Sequence, residues 1–199
     1  DQNDSLSQRD TGWLQFYCES CQEVLDSVIQ AYRISEQVLL PSMVLMDGFY
    51  LSHTSELVDV PHQEDVDAFL PKYKAEYRLN PEDPHAFHSG TLPPHYYELR
   101  RKIQLAAQHA QEVVEEVASE FAQAFGRRYE PVEGFWTDDA EVTLVGSGTA
   151  VSTARGVVKA MRKEGKKVGL LKVRLFRPFP AETVRELLGG AEKVAVIDR

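Results

Sequence analysis

The apolar positions near the start of the chain recur at spacings typical of a strand and a helix. Met43 to Met46 form an apolar run that stops at Asp47 and Gly48. This run predicts a strand buried on both faces, followed by a turn that needs the conformational freedom of glycine. Upstream, apolar residues three or four positions apart predict a helix over 20–39, with Ser20 as its N-cap.

A proline-rich stretch separates this unit from a second, longer helix. Residues 54–95 contain six prolines, and only 63–70 has the pattern of a helix. Long irregular segments in compact domains usually carry function or cross a neighbouring subunit, so we interpret 54–95 as an extended excursion. A proline-free apolar stripe then predicts a helix over 96–125, with Gly126 as its C-terminal cap.

The last part of the chain alternates strands with helices. Apolar runs predict strands over 141–146, 167–175 and 194–198, and helices over 149–164 and 181–188. This β-α-β-α-β order is typical of an α/β domain with a parallel sheet.

Composition and charge narrow the class of protein. The chain has 199 residues and a net charge of −9, which argues against nucleic acid as a partner because phosphate contacts need clustered basic residues. No apolar run approaches the roughly 20 residues needed to span a bilayer, so no membrane contact is expected. Sparse cysteine is typical of the reducing cytoplasm. Because the first residue is Asp1 rather than Met, we expect a piece of a longer chain.

The cysteine and histidine pairs give weak signals for metal. Cys18 and Cys21 have the C-x-x-C spacing of a redox pair or half a metal site, but the chain has no second cysteine pair. His85 and His88 lack further ligands at a matching distance. Packing and solvation explain both pairs, and we predict no metal site.

Two further motifs could bind anions. Gly146-Ser147-Gly148-Thr149 follows a strand and opens a helix, a position that suits an anion on a helix N-terminus. The third glycine of a dinucleotide fingerprint is missing, which favours an ordinary strand-to-helix turn. Arg177 follows the strand 167–175, at its carboxyl edge, and could hold a phosphate or carboxylate, or could pair with an acid across a domain boundary.

Four motifs resemble the 2-oxoacid:ferredoxin oxidoreductase family, and in particular the α subunit (or matching region) of its pyruvate:ferredoxin oxidoreductase branch. They cover essentially the whole chain. In order they are Arg9-Asp10-Thr11-Gly12-Trp13, Asp47-Gly48-Phe49 with Ser52-His53, Asn80-Pro81 with Pro84-His85, and Lys172-Val173-Arg174-Leu175-Phe176-Arg177-Pro178-Phe179.

The resemblance implies an α/β fold in two parts. Residues 1–125 resemble the C-terminal half of a thiamine-diphosphate pyrimidine-binding domain, including the excursion 54–95. Residues 126–135 are then a linker, and 136–199 resemble an incomplete transketolase C-terminal-like domain. The implied activity is oxidative decarboxylation of pyruvate to acetyl-CoA and CO2, with electrons passed to ferredoxin.

The resemblance also implies cofactors and partners. Thiamine diphosphate, Mg2+ and [4Fe-4S] clusters belong to the whole complex, and none is expected on this piece alone. The partners are other subunits or domains of the enzyme, ferredoxin, the 2-oxoacid and coenzyme A. The family's activating glutamate and its substrate-binding threonine and arginine lie upstream of this chain, so we predict no catalytic residue here and no activity for this piece alone.

The candidate site residues lie at loop positions, where function concentrates in α/β proteins. On the resemblance we expect them near the cofactor cleft or a subunit interface. An ordinary tight turn and a locally capped loop are the alternatives. Another 2-oxoacid, such as 2-oxoisovalerate, could replace pyruvate, and a non-catalytic α/β scaffold is the other reading of function. The candidates are Asp4, Arg9, Asp10, Thr11, Gly12, Asp47, Gly48, Phe49, Ser52, His53 and Arg177.

Overall fold

A computed structural model describes residues 2–87 and 90–198, and His88 therefore lies outside the described residues. Its helices and strands follow the order that the apolar pattern predicts, except that a short helix and a strand are added and the predicted strand 167–175 is divided into two. In chain order they are α1 (Asn3–Leu6), β1 (Leu14–Tyr17), α2 (Cys21–Val38), β2 (Ser42–Leu45), α3 (Gln63–Phe69), α4 (Pro93–Phe125), β3 (Val132–Phe135), β4 (Val142–Gly146), α5 (Thr149–Lys163), β5 (Val168–Val173), β6 (Leu175–Arg177), α6 (Ala181–Leu188) and β7 (Lys193–Val196).

The first sheet has the strand order β2-β1-β6, and its buried strand is β1. β1 runs parallel to β2 and antiparallel to β6. All four residues of β1 are buried, whereas those of β2 are half-buried. The prediction that β2 is buried on both faces is therefore wrong, because β2 lies at the sheet edge and β1 lies between two neighbours.

Helices α2 and α4 pack together against the first sheet and enclose the largest core. Ser20 caps α2 as predicted, since its hydroxyl accepts the Glu23 N–H at 3.2 Å. α4 begins at Pro93 rather than at the predicted residue 96, because proline fits the first turn of a helix, where no N–H donor is required. The core residues include Leu14, Phe16, Ile34, Val113, Val114, Val117, Phe121 and Leu175.

The second sheet has the order β3-β5-β4-β7, with helices on both faces. β4 runs parallel to β5 and to β7, as the alternating pattern predicts. Leu171 packs with apolar residues of α6, and its neighbour Leu170 packs with apolar residues of α5. Since successive strand residues point to opposite faces, α5 and α6 cover opposite sides of this sheet.

Residues 126–135, predicted as a linker, contain the added strand β3. It pairs antiparallel with β5, from Val132 opposite Val173 to Phe135 opposite Leu170. The second sheet is therefore mixed rather than purely parallel. Proline precedes β3 and glycine interrupts it, and both residues are tolerated in an edge strand. The division of the chain into domains remains a prediction.

The stretch 167–175, predicted as one strand, is divided between the two sheets. β5 ends at Val173, and β6 begins two residues later beside β1. At the crossing, the Arg174 and Leu175 N–H groups both donate to the Pro131 carbonyl. The chain thus leaves the second sheet and enters the first without a loop.

The excursion 54–95 contains α3 and the first residues of α4, and otherwise has no regular structure in its described part. Several large apolar side chains are exposed along it, among them Leu57, Leu79 and Leu92. In the described part of the chain, no helix combines the length and the apolar character needed to cross a membrane.

Candidate functional site

The carboxylate of Asp47, at the carboxyl end of β2, binds the N-terminus of α5. Its side chain is buried, and its Oδ2 accepts the Thr149 N–H at 2.7 Å and also the Thr149 hydroxyl. The Gln2 amide donates to Oδ1 at 2.7 Å. A negative charge is favourable at this end of a helix. The anion at the Gly146–Thr149 turn is therefore a carboxylate of the chain itself.

The contact between Asp47 and α5 requires glycine at position 148, whereas position 48 does not require glycine. Gly148 has φ +61°, and a Cβ there would lie 2.9 Å from Asp47 Oδ2. A Cβ on Gly48 would meet open space, and its φ is not left-handed. The left-handed residue of this turn is Phe49, at φ 63°, whose N–H donates to Ser52 Oγ at 3.0 Å. The predicted need for glycine at position 48 is therefore wrong.

The turn after Asp47 presents aromatic side chains to solvent. The rings of Phe49 and His53 stack with centroids 4.6 Å apart, although Phe49 is 76% exposed. Ser52 Oγ lies 2.8 Å from His53 Nδ1. The adjacent Tyr50 is also exposed. The turn is thus an ordered, partly apolar surface next to a buried charge.

Removing the Asp47 carboxylate should loosen the junction between β2 and α5. We expect Asp47→Ala to lower the free energy of unfolding by about 1–3 kcal/mol, because Thr149 and Gln2 lose a shared buried acceptor. Asp47→Asn keeps one acceptor oxygen and should cost less. Urea denaturation measures both. Asp138 is exposed, and Asp138→Ala serves as the control, which should change the free energy of unfolding by no more than about 0.5 kcal/mol. Equal losses of stability in Asp47→Ala and Asp138→Ala would contradict this account.

The polar loop ahead of β1 contains the candidates Arg9, Asp10, Thr11 and Gly12, whereas Asp4 lies in α1, two residues after the Gln2 that donates to Asp47. Arg9 Nε lies 3.5 Å from Asp10 Oδ2, and both side chains are exposed. Gly12 has φ +99°, and a Cβ there would lie 3.1 Å from Ile103 of α4. Glycine therefore lets this loop pack closely on α4. The five predicted residues of the loop and of α1 are Asp4, Arg9, Asp10, Thr11 and Gly12.

The structure places the candidates at opposite edges of the first sheet. β1 and β2 are parallel, so the Asp47 turn lies at their carboxyl edge and the polar loop lies at their amino edge. Arg177 pairs opposite Gln15, near the start of β1, and its Nη2 lies 3.9 Å from Asp10 Oδ1. Arg177 therefore lies with the polar loop and not with the Asp47 turn.

The structure also contains a buried charge cluster that sequence reasoning missed. Lys172 of β5 is 1% exposed, and its Nζ lies 2.9 Å from Glu23, 2.9 Å from Glu19 and 3.1 Å from Glu133. Arg174 Nε lies 3.2 Å from the same Glu23 carboxylate. This cluster joins α2 to the second sheet. A lysine and an arginine inside an apolar run, Leu170 to Leu175, were its available signal.

The pKa values in this cluster reflect burial and neighbouring charge. Burial raises the pKa of Glu133, although Lys172 acts in the opposite direction. Burial acts to lower the pKa of Lys172, but Glu23, Glu133 and Glu19 outweigh it, so that pKa is raised. Lysine is therefore held charged, which fits a structural ion cluster.

Cys18 and Cys21 have different surroundings. Cys18 is fully buried, and its Sγ lies 3.5 Å from Ser27 Oγ. Burial raises the pKa of Cys18 to about 11. The Cys21 Sγ lies 3.9 Å from the Thr54 carbonyl oxygen. Within residues 2–87 and 90–198, no group of three or more His, Cys, Asp or Glu side chains could hold a metal ion.

Comparison with protein families gives two matches that together cover most of the chain. Residues 1–119 match the family described as pyruvate flavodoxin/ferredoxin oxidoreductase, thiamine diphosphate-binding. Residues 140–199 match the family described as pyruvate:ferredoxin oxidoreductase core domain II.

Curated relatives match over the whole of this chain. Pyruvate synthase subunit PorA of Methanothermobacter thermautotrophicus is 48% identical over 201 residues, which cover 100% of this chain and 52% of the relative. Ketoisovalerate oxidoreductase subunit VorA of Pyrococcus abyssi is 46% identical, over 100% of this chain and 51% of the relative. The chain thus spans about half the length of these relatives.

A solved structure has the same fold at low sequence identity. The 2-oxoglutarate:ferredoxin oxidoreductase from Magnetococcus marinus, with 2-oxoglutarate, coenzyme A and succinyl-CoA bound, matches with a TM-score of 0.58. The identity is 16%, over 92% of this chain and 34% of that chain. This match supports the α/β fold and nothing finer.

Proposed function

Because the chain belongs to the pyruvate flavodoxin/ferredoxin oxidoreductase family, we propose that it is part of a thiamine-diphosphate-dependent pyruvate:ferredoxin oxidoreductase. The whole enzyme would decarboxylate pyruvate, transfer the acetyl group to coenzyme A and pass two electrons to ferredoxin. The observation that carries this proposal is that two pyruvate:ferredoxin oxidoreductase family models match consecutive parts of the chain.

A second candidate substrate follows from the similar sequence identities of the PorA and VorA relatives. PorA and VorA relatives are 48% and 46% identical to this chain, a difference too small to choose between them. A branched 2-oxoacid such as 2-oxoisovalerate is therefore the second candidate substrate.

Thiamine diphosphate does not fit the one helix N-terminus that the sequence pointed to. Asp47 already lies at the N-terminus of α5, and a diphosphate there would face a buried carboxylate. We therefore derive no catalytic step from these residues. We propose that thiamine diphosphate, Mg2+ and the [4Fe-4S] clusters belong to the whole complex, and that this chain alone binds none of them.

The contribution we propose for this chain is to position surfaces at a cofactor cleft or a subunit interface. Phe49 and Tyr50 are large, exposed and ordered beside a buried charge, and aromatic residues of this kind are enriched at interfaces. The polar loop and Arg177 form a second surface at the opposite sheet edge. The proposed residues are those predicted from the sequence: Asp4, Arg9, Asp10, Thr11, Gly12, Asp47, Gly48, Phe49, Ser52, His53 and Arg177.

Hydrogen exchange tests the placement of the turn. We expect the amides of residues 48–53 to exchange more slowly when the full-length chain is assembled with its partner subunits, because an interface excludes water from them. The helical segment 155–160 of α5, which combines exposed residues with the buried Val158, serves as the internal reference. Unchanged exchange over 48–53 in an active complex would place the turn away from every partner and would contradict this part of the proposal.

The activity is tested on the assembled complex with its clusters intact. Reduction of ferredoxin or a viologen dye is measured with pyruvate, thiamine diphosphate, Mg2+ and coenzyme A, and each component is omitted in turn. Activity that requires pyruvate, thiamine diphosphate and coenzyme A supports the proposal. Activity with 2-oxoisovalerate alone supports the second candidate. No reduction with any 2-oxoacid would favour a non-catalytic scaffold.

A further inference from the structure

A cleft of about 330 Å3 lies between the polar loop, one face of α4 and the segment after β6. α4 lines it with residues three or four positions apart: Arg100, Ile103, Gln104, Ala107, Gln108 and Gln111. Residues at this spacing lie on one helix face, and most of these six are polar. This part of α4 therefore faces a largely polar cleft, while Ile103 and Ala107 also pack against the apolar core.

The charge of the cleft is positive in a chain whose net charge is −9. Arg9, Arg100 and Arg177 line the cleft, together with the acids Asp10 and Glu182. Glu182 is ion-paired with an arginine on α6 that does not line the cleft. Of the two lining acids, Asp10 is the one whose carboxylate lies near Arg9 and Arg177.

Asp10 satisfies these guanidinium groups only weakly. Its carboxylate lies 3.5 Å from Arg9 and 3.9 Å from Arg177, both longer than a charge-assisted hydrogen bond of about 2.7–2.9 Å. Arg100 Nη2 donates to the backbone carbonyl of Asp10 at 2.9 Å and not to its carboxylate. The arginines consequently retain donors that can bind a second anion.

Aromatic side chains complete the walls. Trp13 and Phe179 both line the cleft and are 39% and 42% exposed. Small-molecule clefts have volumes of about 300–1,000 Å3 and combine apolar walls with a few polar groups. The cleft is at the small end of this range, which suits a ligand with one anionic group and a short apolar part.

We propose that this cleft binds a small organic anion, through a phosphate or carboxylate group held by Arg100 and Arg177. The apolar part of the ligand lies against Trp13 and Phe179. The site is at the amino edge of the first sheet, away from the Asp47 turn. The proposal does not depend on the reaction proposed above, since it rests on the charges and walls of the cleft.

Three aromatic probes of similar shape test the proposal on the full-length chain by ligand-observed NMR titration. Phenyl phosphate and benzoate carry the two candidate anions, and phenol carries none. We expect at least one anionic probe to bind at least tenfold more tightly than phenol. The tighter of the two anions identifies the ligand class. Equal binding of all three probes, or of none, would overturn the proposal.

Substitutions locate the binding within the chain. We expect Arg100→Gln and Arg177→Gln each to weaken binding of the preferred anion at least tenfold, because each removes a charged donor. Arg101→Gln is the matched control, since Arg101 is adjacent on α4, pairs with Glu98 and does not line the cleft. Equal weakening by Arg101→Gln would show nonspecific charge attraction. Weakened subunit association with unchanged probe binding would show that the cleft holds a partner's side chain, and either result overturns the proposal.

Discussion

Replacing Lys172 by methionine should lower the free energy of unfolding by about 3–5 kcal/mol, the usual cost of leaving buried charges without their partner. Lys172 lies within 3.1 Å of three carboxylates, and Glu23 among them is 1% exposed. Methionine has a similar length but no charge, so the carboxylates would repel one another in a dry environment. Urea denaturation measures the loss.

An exposed lysine provides the control for this substitution, and the pH dependence of the free energy of unfolding provides a second test. Lys167→Met removes a lysine that is 56% exposed and 3.5 Å from Glu141, so it should cost less than about 1 kcal/mol. Lys172→Met removes the cation that acts against the raised pKa of Glu133, so the folded-state pKa of Glu133 should lie further above its unfolded value. As the pH falls through that value, Glu133 binds a proton, and the loss in free energy of unfolding caused by Lys172→Met should become smaller. A deficit equal to that of Lys167→Met would refute the account.

Replacing Phe121 by alanine should also cost about 3–5 kcal/mol, the usual range for an aromatic side chain removed from a core. Phe121 of α4 is fully buried. Its ring lies edge-on to Phe69 of α3 at 5.4 Å and 4.5 Å from Phe125. The substitution therefore leaves a cavity at the place where the excursion is attached to α4. Denaturation midpoints and limited proteolysis around residue 69 measure the effect.

A matched position on the same helix separates the cavity from any change in helix propensity. Leu105 of α4 is 47% exposed, so Leu105→Ala should change stability by less than about 1 kcal/mol. Phe121→Leu should recover part of the loss by filling part of the space. Proteolysis near residue 69 that is no faster in Phe121→Ala than in Leu105→Ala would show that Phe121 does not anchor α3.

Helices with clear caps were predictable from the sequence because their signals are local. Ser20 and Glu23 mark the start of α2, and Gly126 ends α4 at φ 71°. The order of strands and helices after residue 140 was equally predictable, except for the division of 167–175 between two sheets. In these segments the spacing of apolar residues and the capping residues lie within a few positions of one another, so no knowledge of distant contacts was needed.

The polar face of α2 could not be read in the same way. Its predicted apolar stripe includes Val28, which is 42% exposed, while Glu23, Asp26 and Gln30 are buried. Glu23 and Asp26 are buried because cations from distant segments reach them, and Gln30 donates to the Asp26 carbonyl at 3.3 Å. Arg127, for example, donates to Asp26 Oδ2 at 2.7 Å. Hydrophobic periodicity contains no information on such partners, and the same limit hid Lys172.

The arrangement of the candidate site was likewise predictable only in part. Asp47 was noted because it ends an apolar run, but its partner Thr149 is 102 residues away in sequence. The sequence also could not place Arg177 beside Asp10 rather than beside the Asp47 turn. That assignment depends on the register of β6 against β1, which is fixed only when the chain crosses between sheets at Arg174.

The crossing from β5 to β6 also affects when the first sheet can form during synthesis. β6 supplies the second neighbour of β1, yet Arg177 follows Gln15 by about 160 residues. At translation rates of about 5–20 residues per second, β1 waits on the order of 10–30 seconds on the ribosome for that strand. During this time one edge of a strand that is fully buried in the folded chain is open to other chains. A nascent chain of this kind is a natural client for ribosome-associated chaperones, and expression of residues 1–125 by themselves should favour aggregation.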